Sequence, residues 1–383
     1  MAQSPGAPTS SDGAILTLNA GSSSLKYGLF TMSPVPARLA SGSIERVGIE
    51  PAQHARALED VLGRIQPHGG LDRVRAIGHR VVHGGPNIDA PRLVTPQVMS
   101  ELHRLSDLDP DHLPAEIGVI EAMVTRAPGV PNVVCLDTAF HAAMPRVARL
   151  LPIPRAYERA GLRRYGFHGL SYTYLLAELE RVAGRDAARG RVVLAHLGSG
   201  ASLAAAHDAR SVDTTMGFTP TSGIPMGTRC GDLDPGVLLY MLRTEKLDAD
   251  ALSELLNRRS GLIGVSEISG DMRDLLDREA TDPRAADAVN LFCYRAKQAI
   301  GALAATLGGV ETLVFAGGIG ENAWPVRERI TEGLEHLGVR LDRDRNRKGE
   351  PLISTPSSPC TVRIIKTDEE VVVARQTLDV LPK

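Results

Sequence analysis

The stretch Asn19-Ala-Gly-Ser-Ser-Ser-Leu-Lys26 lies between two apolar runs, Ala14 to Leu18 before it and Leu25 to Phe30 after it. That layout reads as strand, tight turn and strand, with Gly21 expected to supply a positive φ and three hydroxyls gathered at the turn. A glycine-serine hairpin of this kind is either an ordinary turn with solvated hydroxyls or a cradle for phosphate. Lys26 favours the cradle, because a cation just inside the return strand can reach across the turn to an anion. A second hairpin of the same kind runs from Val192 to Leu197, through Gly198-Ser199-Gly200, and out along Ala201 to Ala206. Two such turns point to two halves facing one polyphosphate.

At 383 residues the chain is long enough for two domains, each with its own core. Its 43 basic and 45 acidic residues leave a net charge of -2, so no excess of positive charge argues for nucleic acid or an anionic membrane. No apolar run approaches a membrane span, and Met1 to Gly13 has neither a basic nor an apolar leader region. Residues 1–12, rich in Ser, Pro and Ala, read as a mobile tail. Cys135, Cys230, Cys293 and Cys360 have no paired metal-type spacing, which suits a reducing cytoplasm with no disulfide and no zinc.

Short β-rich runs alternate with amphipathic helices, which argues for an α/β architecture. The expected strands are 14–19, 24–30, 74–83, 131–137, 192–197, 201–207 and 311–316. Thr95-Pro96 and Asp234-Pro235 each place a capping residue before a proline at the first helical position. The run from Pro283 to Leu307 is apolar at helical spacing and stops at Gly308-Gly309, so it reads as one long packed helix. Prolines 145, 152 and 154 interrupt the periodicity between Asp137 and Gly169, which places the boundary between halves there.

Several shorter motifs carry possible chemistry. Arg80, in Gly78-His-Arg-Val-Val-His-Gly-Gly85, is either paired structurally or aimed at an anion. Asp137 stands where an apolar strand runs out, the position of ligand-facing residues in α/β sheets, although it could equally cap the next helix. His168 sits in Gly166-Phe-His-Gly169, and lone histidines are mostly structural. Arg229 occupies the glycine-bounded loop Met226 to Asp232, a plausible cation for a phosphoryl group in transfer. Cys230 beside it is expected to feel that positive charge and to carry more thiolate than an ordinary buried cysteine. Leu313 to Asn322 reads as strand, glycine loop and helix, suited to close backbone approach to a nucleotide. The glycine spacing is not a dinucleotide fingerprint, and neither a Walker A sequence nor a protein-kinase His-Arg-Asp set is present.

Taken together these motifs resemble the acetate kinase family of the actin, sugar-kinase and Hsp70-like superfamily. Asn-Ala-Gly-Ser-Ser-Ser-Leu-Lys, Gly-His-Arg-Val-Val-His-Gly-Gly, Asp-Thr-Ala-Phe-His, Tyr-Gly-Phe-His-Gly, Met-Gly-Phe-Thr-Pro, Met-Gly-Thr-Arg and Gly-Gly-Ile-Gly-Glu-Asn occur in the family's order across residues 14–378. The resemblance implies two α/β domains of a duplicated actin-like, ribonuclease H-like fold with a central cleft. The first would be 13–140 plus 370–383, and the second, which also makes a homodimer, 141–369. Residue by residue, it puts Asn19 and Glu369 near Mg2+, with Mn2+ as a substitute, and Lys26 near the nucleotide phosphates. His196, Leu197, Gly198, Ser199 and Gly200, with Asp271, Met272 and Arg273 and with Gly318, Ile319, Gly320, Glu321 and Asn322, would form the ATP/ADP site. Arg80 would hold the carboxylate of the acid, and Val82, Phe167 and Pro220 would line the acyl pocket. Asp137 matches the essential carboxylate, and His168 and Arg229 match the groups that stabilise the transition state.

The chemistry agrees with these roles. A carboxylate nucleophile is already ionised at neutral pH, so Asp137 fits the positioning of metal and substrate better than general-base work. Three departures from the family pattern stand out: Ser199 for Asn, Met272 for Phe, and Asp109-Pro-Asp-His-Leu-Pro-Ala-Glu116 for Ala-Pro-Leu-His-Asn-Pro-Ala-Asn. Asp111 replaces an apolar wall residue of the acetate pocket, and Leu113 is expected to take over that wall. The leading reading is a cytoplasmic acetate kinase acting on acetate and ATP, with no nucleic-acid or membrane partner. Alternatives are a kinase for propionate or a more polar small acid, or a nucleotide-binding sensor with little turnover.

Overall fold

The computed structural model describes residues 13–21, 24–45, 51–106, 109–110 and 112–382, which divide into two compact units. Unit 1 groups the chain up to Ala139 with Asp368–Lys383, and unit 2 is Phe140–Thr367. Phe140 thus sorts with unit 2, and Asp368 and Glu369 with unit 1.

The sheet of unit 1 contains β1 (Ala14–Ala20), β2 (Ser24–Thr31), β3 (Arg38–Glu45), β4 (Val74–Val81), β5 (Arg92–Leu93) and β6 (Asn132–Leu136), in the order β3-β2-β1-β4-β6-β5. Unit 2 has β7 (Val192–Leu197), β8 (Ala201–His207), β9 (Arg210–Thr214), β10 (Thr312–Ala316) and β11 (Thr361–Ile364), in the order β11-β10-β7-β8-β9. From the outer hairpin strand inward, both sheets pair antiparallel, antiparallel, parallel and parallel. One βββαβ-like plan is therefore used twice, and β5 adds an antiparallel edge to the first copy.

In unit 1, alternation along the strands decides which helix covers which face. Ile77 joins Leu16, Leu18 and Leu25 in a cluster with Leu58 and Val61 of the helix Pro51–Ile65 and Val119 and Met123 of the helix Leu113–Arg126. Gly78, the next residue, faces the opposite way onto the helix Glu369–Val380, which packs on β1, β4 and β6. In unit 2 the helix Gly169–Ala183 buries Tyr172, Leu175 and Leu179 against Val192, Leu194 and Val314. The helix Pro283–Leu307 covers β7, β8 and β9.

The expected helix signals act as read. The Thr95 side chain accepts from Val98 N at 3.2 Å, Asp234 accepts from Gly236 N at 2.6 Å, and the helix Pro283–Leu307 stops at Gly308 with φ 70°. The first hairpin differs from expectation at its turn. Gly21 does not take a positive φ, since its N–H simply closes the turn onto Ser24 O at 2.8 Å, and Ser22 and Ser23 lie outside the described residues. The sequence reading also passes over β3, β5, β9 and β11. Asp111 lies outside the described residues, and Leu113 is fully buried in a core cluster with Val81, Ile88, Leu102, Leu105 and Leu136. Among the described residues no helix is long and apolar enough to cross a membrane.

Gly78 fixes how closely the C-terminal helix approaches the sheet. A Cβ there would meet Thr377 Oγ1 at 2.3 Å and Val373 Cγ1 at 2.6 Å. Gly78→Ala should therefore lower the free energy of urea unfolding by about 1–3 kcal/mol through overpacking. Gly63→Ala, in the last turn of the helix Pro51–Ile65 where nothing lies within 4 Å of the new methyl, should raise it by about 0.5 kcal/mol.

Candidate active site

In unit 1 the functional groups gather at the C-terminal ends of parallel strands, where α/β sheets present side chains to ligands. Arg80 stands at the end of β4 and Asp137 one residue beyond β6. Arg80 Nη2 donates to Asp137 Oδ2 at 2.6 Å and Nη1 donates to Asn19 Oδ1 at 3.2 Å, while its buried Nε has no hydrogen-bond partner among the described residues. Burial lowers the basicity of this guanidinium, but the nearby carboxylates of Asp137, Glu369 and Glu116 outweigh it and hold Arg80 firmly protonated. Glu369 opens the C-terminal helix, which Asp368 caps by accepting from Val371 N. Lys26 pairs with Asn19 across the β1–β2 ladder and is exposed.

Glu116 is the member of this group that the sequence motifs did not single out as functional. It lies in the first turn of the helix Leu113–Arg126, 2 % exposed, with Oε2 accepting from Val82 N at 3.0 Å. Its other oxygen is 3.9 Å from Arg80 Nη1 and has no hydrogen bond among the described residues. Burial pushes its carboxyl up to about 8, against the pull of Arg80 and the Val82 N–H. An acid at the start of a helix ordinarily reads as a dipole-complementing surface residue, so only its burial exposes the role.

In unit 2 three basic side chains meet over the second hairpin turn. His168 is held in the left-handed region, φ 60°, at the start of the helix Gly169–Ala183, and its Nδ1 pairs with Ser202 Oγ at 2.8 Å. Its ring stacks on His196 at 4.4 Å, and His196 Nδ1 is tied to Ser171 Oγ at 2.8 Å. A Cβ on Gly200 would lie 3.3 Å from His168 Nε2 and 3.6 Å from Arg229 Nη1, so both side chains converge on that glycine. Arg229 Nη1 also donates to the Pro220 carbonyl at 3.2 Å. Phe167 is 1 % exposed and its carbonyl faces His141 Nε2 at 3.1 Å; Pro220 and Val82 are likewise buried.

Beside this turn lies a cavity of about 1060 Å³ lined by Gly198, Ser199, Asp271, Met272, Arg273, Gly318, Ile319 and Asn322, among others. Its volume suits a nucleotide. Leu197 and Gly320 are buried beneath it, and Gly320 faces Leu197 with only 3.6 Å to spare for a Cβ. Glu321 is turned to structure, accepting from Gly317 N at 3.0 Å and Thr367 N at 3.2 Å. Asp271 caps its helix through Arg273 N at 2.9 Å and pairs with the Arg273 guanidinium. Arg327, 1 % exposed, fastens the glycine helix from below by donating to the carbonyls of Gly320 and Glu321 at 2.9 and 3.0 Å.

Among the described residues no three His, Cys, Asp or Glu side chains are grouped to hold a metal. Asn19 and Glu369 nevertheless fit Mg2+: they offer hard oxygen donors only, and Mg2+ keeps waters and nucleotide phosphates as most of its shell.

Strand-end acid and arginine in one unit, with a glycine-floored cavity and a histidine-arginine pair in the other, define a nucleotide-dependent phosphotransferase. The sequence profile described as the Acetokinase family matches residues 14–375. The chain is 44% identical over 386 residues to the acetate kinase of Rhodopseudomonas palustris, covering 94% of this chain and 96% of that one. Among solved structures, the acetate kinase of Porphyromonas gingivalis superposes with a TM-score of 0.86 at 35% identity, covering 97% of this chain and 100% of its own. A propionate kinase from Francisella tularensis also superposes at 0.86, with 31% identity over 96% and 100% of the two chains. The chain belongs to the acetokinase family and has its actin-like ATPase fold.

Cys230 does not behave as its neighbour suggested. Arg229 turns its guanidinium to the Pro220 carbonyl, and burial followed by the charge of Asp232 raises the thiol above its ordinary value. Iodoacetamide labelling of Cys230, followed by peptide mass spectrometry, should be slower than that of a free thiol at pH 8 and still climbing at pH values where the free thiol has levelled off.

Proposed function

We propose that this chain reversibly transfers the γ-phosphoryl group of ATP to acetate, giving acetyl phosphate and ADP. The observation that carries the reading is a division of charge suited to the reaction. Unit 1 offers a half-buried arginine with an unspent donor for a carboxylate, and unit 2 offers a histidine and an arginine over a glycine turn beside a nucleotide-sized cavity.

In this reading Arg80 binds the carboxylate of the acid and screens its negative charge from the phosphates. Asp137 orients Arg80 and the bound acid; it removes no proton, because the nucleophile is already an anion. A carboxylate oxygen attacks the γ-phosphorus in line, the bond to the β-γ bridging oxygen breaks, and ADP leaves with the electron pair. His168 and Arg229 neutralise charge on the equatorial oxygens, and Lys26 serves the phosphates. Ser202, which holds His168 Nδ1 and also meets the Tyr172 hydroxyl at 2.5 Å, keeps Nε2 aimed at the turn. Val82, Phe167 and Pro220 shape the acyl pocket. Ser199 replaces the usual amide with a hydroxyl that can still donate. Asn19 and Glu369 would hold Mg2+, or Mn2+ in its place, which supplies charge neutralisation at the phosphates.

A homodimer fits the exposed apolar side chains of unit 2. Leu239, Tyr240 and Leu242 of the helix Pro235–Thr244, with Leu233 and Tyr294, form surface that a second copy would cover. A cytoplasmic location belongs to this reading, because ATP is the phosphoryl donor it names.

Phosphorus NMR of purified protein with MgATP and acetate should show acetyl phosphate and ADP appearing together, and a panel of small acids in the same assay ranks acetate against propionate. No acyl phosphate from any acid would overturn the reading. Arg229→Ala should lower kcat by on the order of 10³-fold, about 4 kcal/mol, with little change in the KM for ATP. Near-normal kcat would remove Arg229 from the mechanism. Glu369→Gln should raise the Mg2+ concentration for half-maximal velocity and also weaken Mn2+ binding in the presence of ADP, read by electron paramagnetic resonance.

A further inference from the structure

The Arg80 cluster carries more negative charge than its one cation can balance. Asp137 is paired with Arg80 at 2.6 Å, Glu116 lies at 3.9 Å from it, and Glu369 also acts on it. A substrate carboxylate at the same guanidinium would add a further anion to a buried site. Like charges gathered in low dielectric cannot all stay ionised, and the carboxyl that yields is the one worst solvated as an anion. Glu116 is that carboxyl, because the hydrogen bond it accepts comes from the neutral Val82 N–H at 3.0 Å and Arg80 stays 3.9 Å away, whereas Asp137 accepts a short charged hydrogen bond from Arg80.

We propose that Glu116 is a positioning residue that must be protonated for an anionic acid to settle on Arg80, so that binding of the acid takes up one proton. The proton comes from solvent and resides on Glu116 Oε1. It turns an unsatisfied acceptor into an O–H donor that can reach toward the carboxylate held by Arg80, while Oε2 keeps the Val82 N–H. Because Val82 belongs to the acyl pocket in the functional reading, the protonated carboxyl also fixes that wall. The inference rests on that reading.

The charged groups that act on Glu116 support this state. Arg80 on β4 opposes it, whereas Asp109, in the loop before the helix, and Asp137, at the end of β6, both favour it. Asp109 is itself buried, paired with His112 Nδ1 at 2.8 Å, and among the described residues its second oxygen has no hydrogen bond. The other elements packed on the 113–126 helix meet it through apolar side chains, Leu58 and Val61 from the 51–65 helix, Leu16 and Leu18 from β1, and Leu102 and Leu105 from the helix Pro96–Leu105, and through two exposed polar pairs on its outer side, Glu59 with Arg126 and His103 with Glu121. His54 on the 51–65 helix turns to the Gly21 carbonyl. The value of about 8 reached by Glu116 leaves it largely protonated at neutral pH and ionised in mildly alkaline solution.

The direct test is calorimetric titration of the wild-type protein with acetate in buffers of different ionisation enthalpy. Uptake of about one proton per acetate at pH 9 and nearly none at pH 6 is expected. Binding at pH 9 without proton uptake would overturn the proposal. In kinetics, the KM for acetate should rise about tenfold per pH unit above the Glu116 midpoint, and Glu116→Gln should flatten that rise while leaving the pH profile of the KM for ATP in place. Parallel acetate profiles for the two proteins would overturn it as well. A readout without substrate guards against a merely structural effect. The folded carboxyl holds its proton above its ordinary 4.5, so wild-type stability should fall as pH rises from 4.5 to about 8 and level off beyond, and Glu116→Gln or Glu116→Asn should lose that slope. If the wild type forms no acyl phosphate at any pH, the functional reading fails and this proposal with it; an active enzyme without proton uptake sinks the proposal alone.

Discussion

A single guanidinium shared among buried carboxylates organises unit 1. Arg80 can sit at a strand end under a helix only because Asp137 and Asn19 accept from it, and those partners are delivered by its two neighbouring strands, β6 and β1. Removing one partner from such a pair leaves an uncompensated buried charge, which costs more than the pair itself contributes. The parallel pairing of β1, β4 and β6 is thus both the scaffold of the sheet and the means of bringing three functional groups within hydrogen-bond reach. Gly78 belongs to the same arrangement, because the C-terminal helix that carries Glu369 can lie against β4 only where no side chain intervenes.

Unit 2 repeats the strand plan and puts different chemistry on it. The turn between β7 and β8 is floored by Gly198 and Gly200, and His168 and Arg229 from two separate segments close over it. The stacked pair His168 and His196 is anchored on both sides, by Ser202 and by Ser171, so neither ring is free to swing. Arg327 plays a quieter part, its buried fork spent on the carbonyls of the glycine helix and on Asn346. With no carboxylate paired to it among the described residues, burial lowers Arg327 to about 10, still protonated near neutrality. Positioning of this sort is needed for phosphoryl transfer, where electrostatics and geometry do most of the work.

Much of this was legible in the residues. Strands with continuous apolar runs, β1, β2, β7, β8 and β10, are buried on both faces and announce themselves by composition. By contrast β3, β9 and β11 are short or half exposed, with Arg, Ser, Asp and Thr among their residues, and polar edge strands leave no periodic signal. Arg80, Asp137, His168 and Arg229 were marked by glycines and strand ends. Glu116 was not, because the feature that matters is the absence of donors around its Oε1, and absence of a neighbour is a property of packing. Cys230 shows the converse error: adjacency in sequence to an arginine says nothing about where the guanidinium points.

The central claim is that Arg80 is present to hold the acid's carboxylate, with its pairing to Asp137 serving that task. Steady-state kinetics of Arg80→Gln with acetate and MgATP varied in turn test it most directly. The account predicts a KM for acetate raised by roughly one to two orders of magnitude, the loss of a charged hydrogen bond of about 1.5–3 kcal/mol, with the KM for MgATP nearly unchanged. An unchanged KM for acetate, or an equal rise in both, would contradict it.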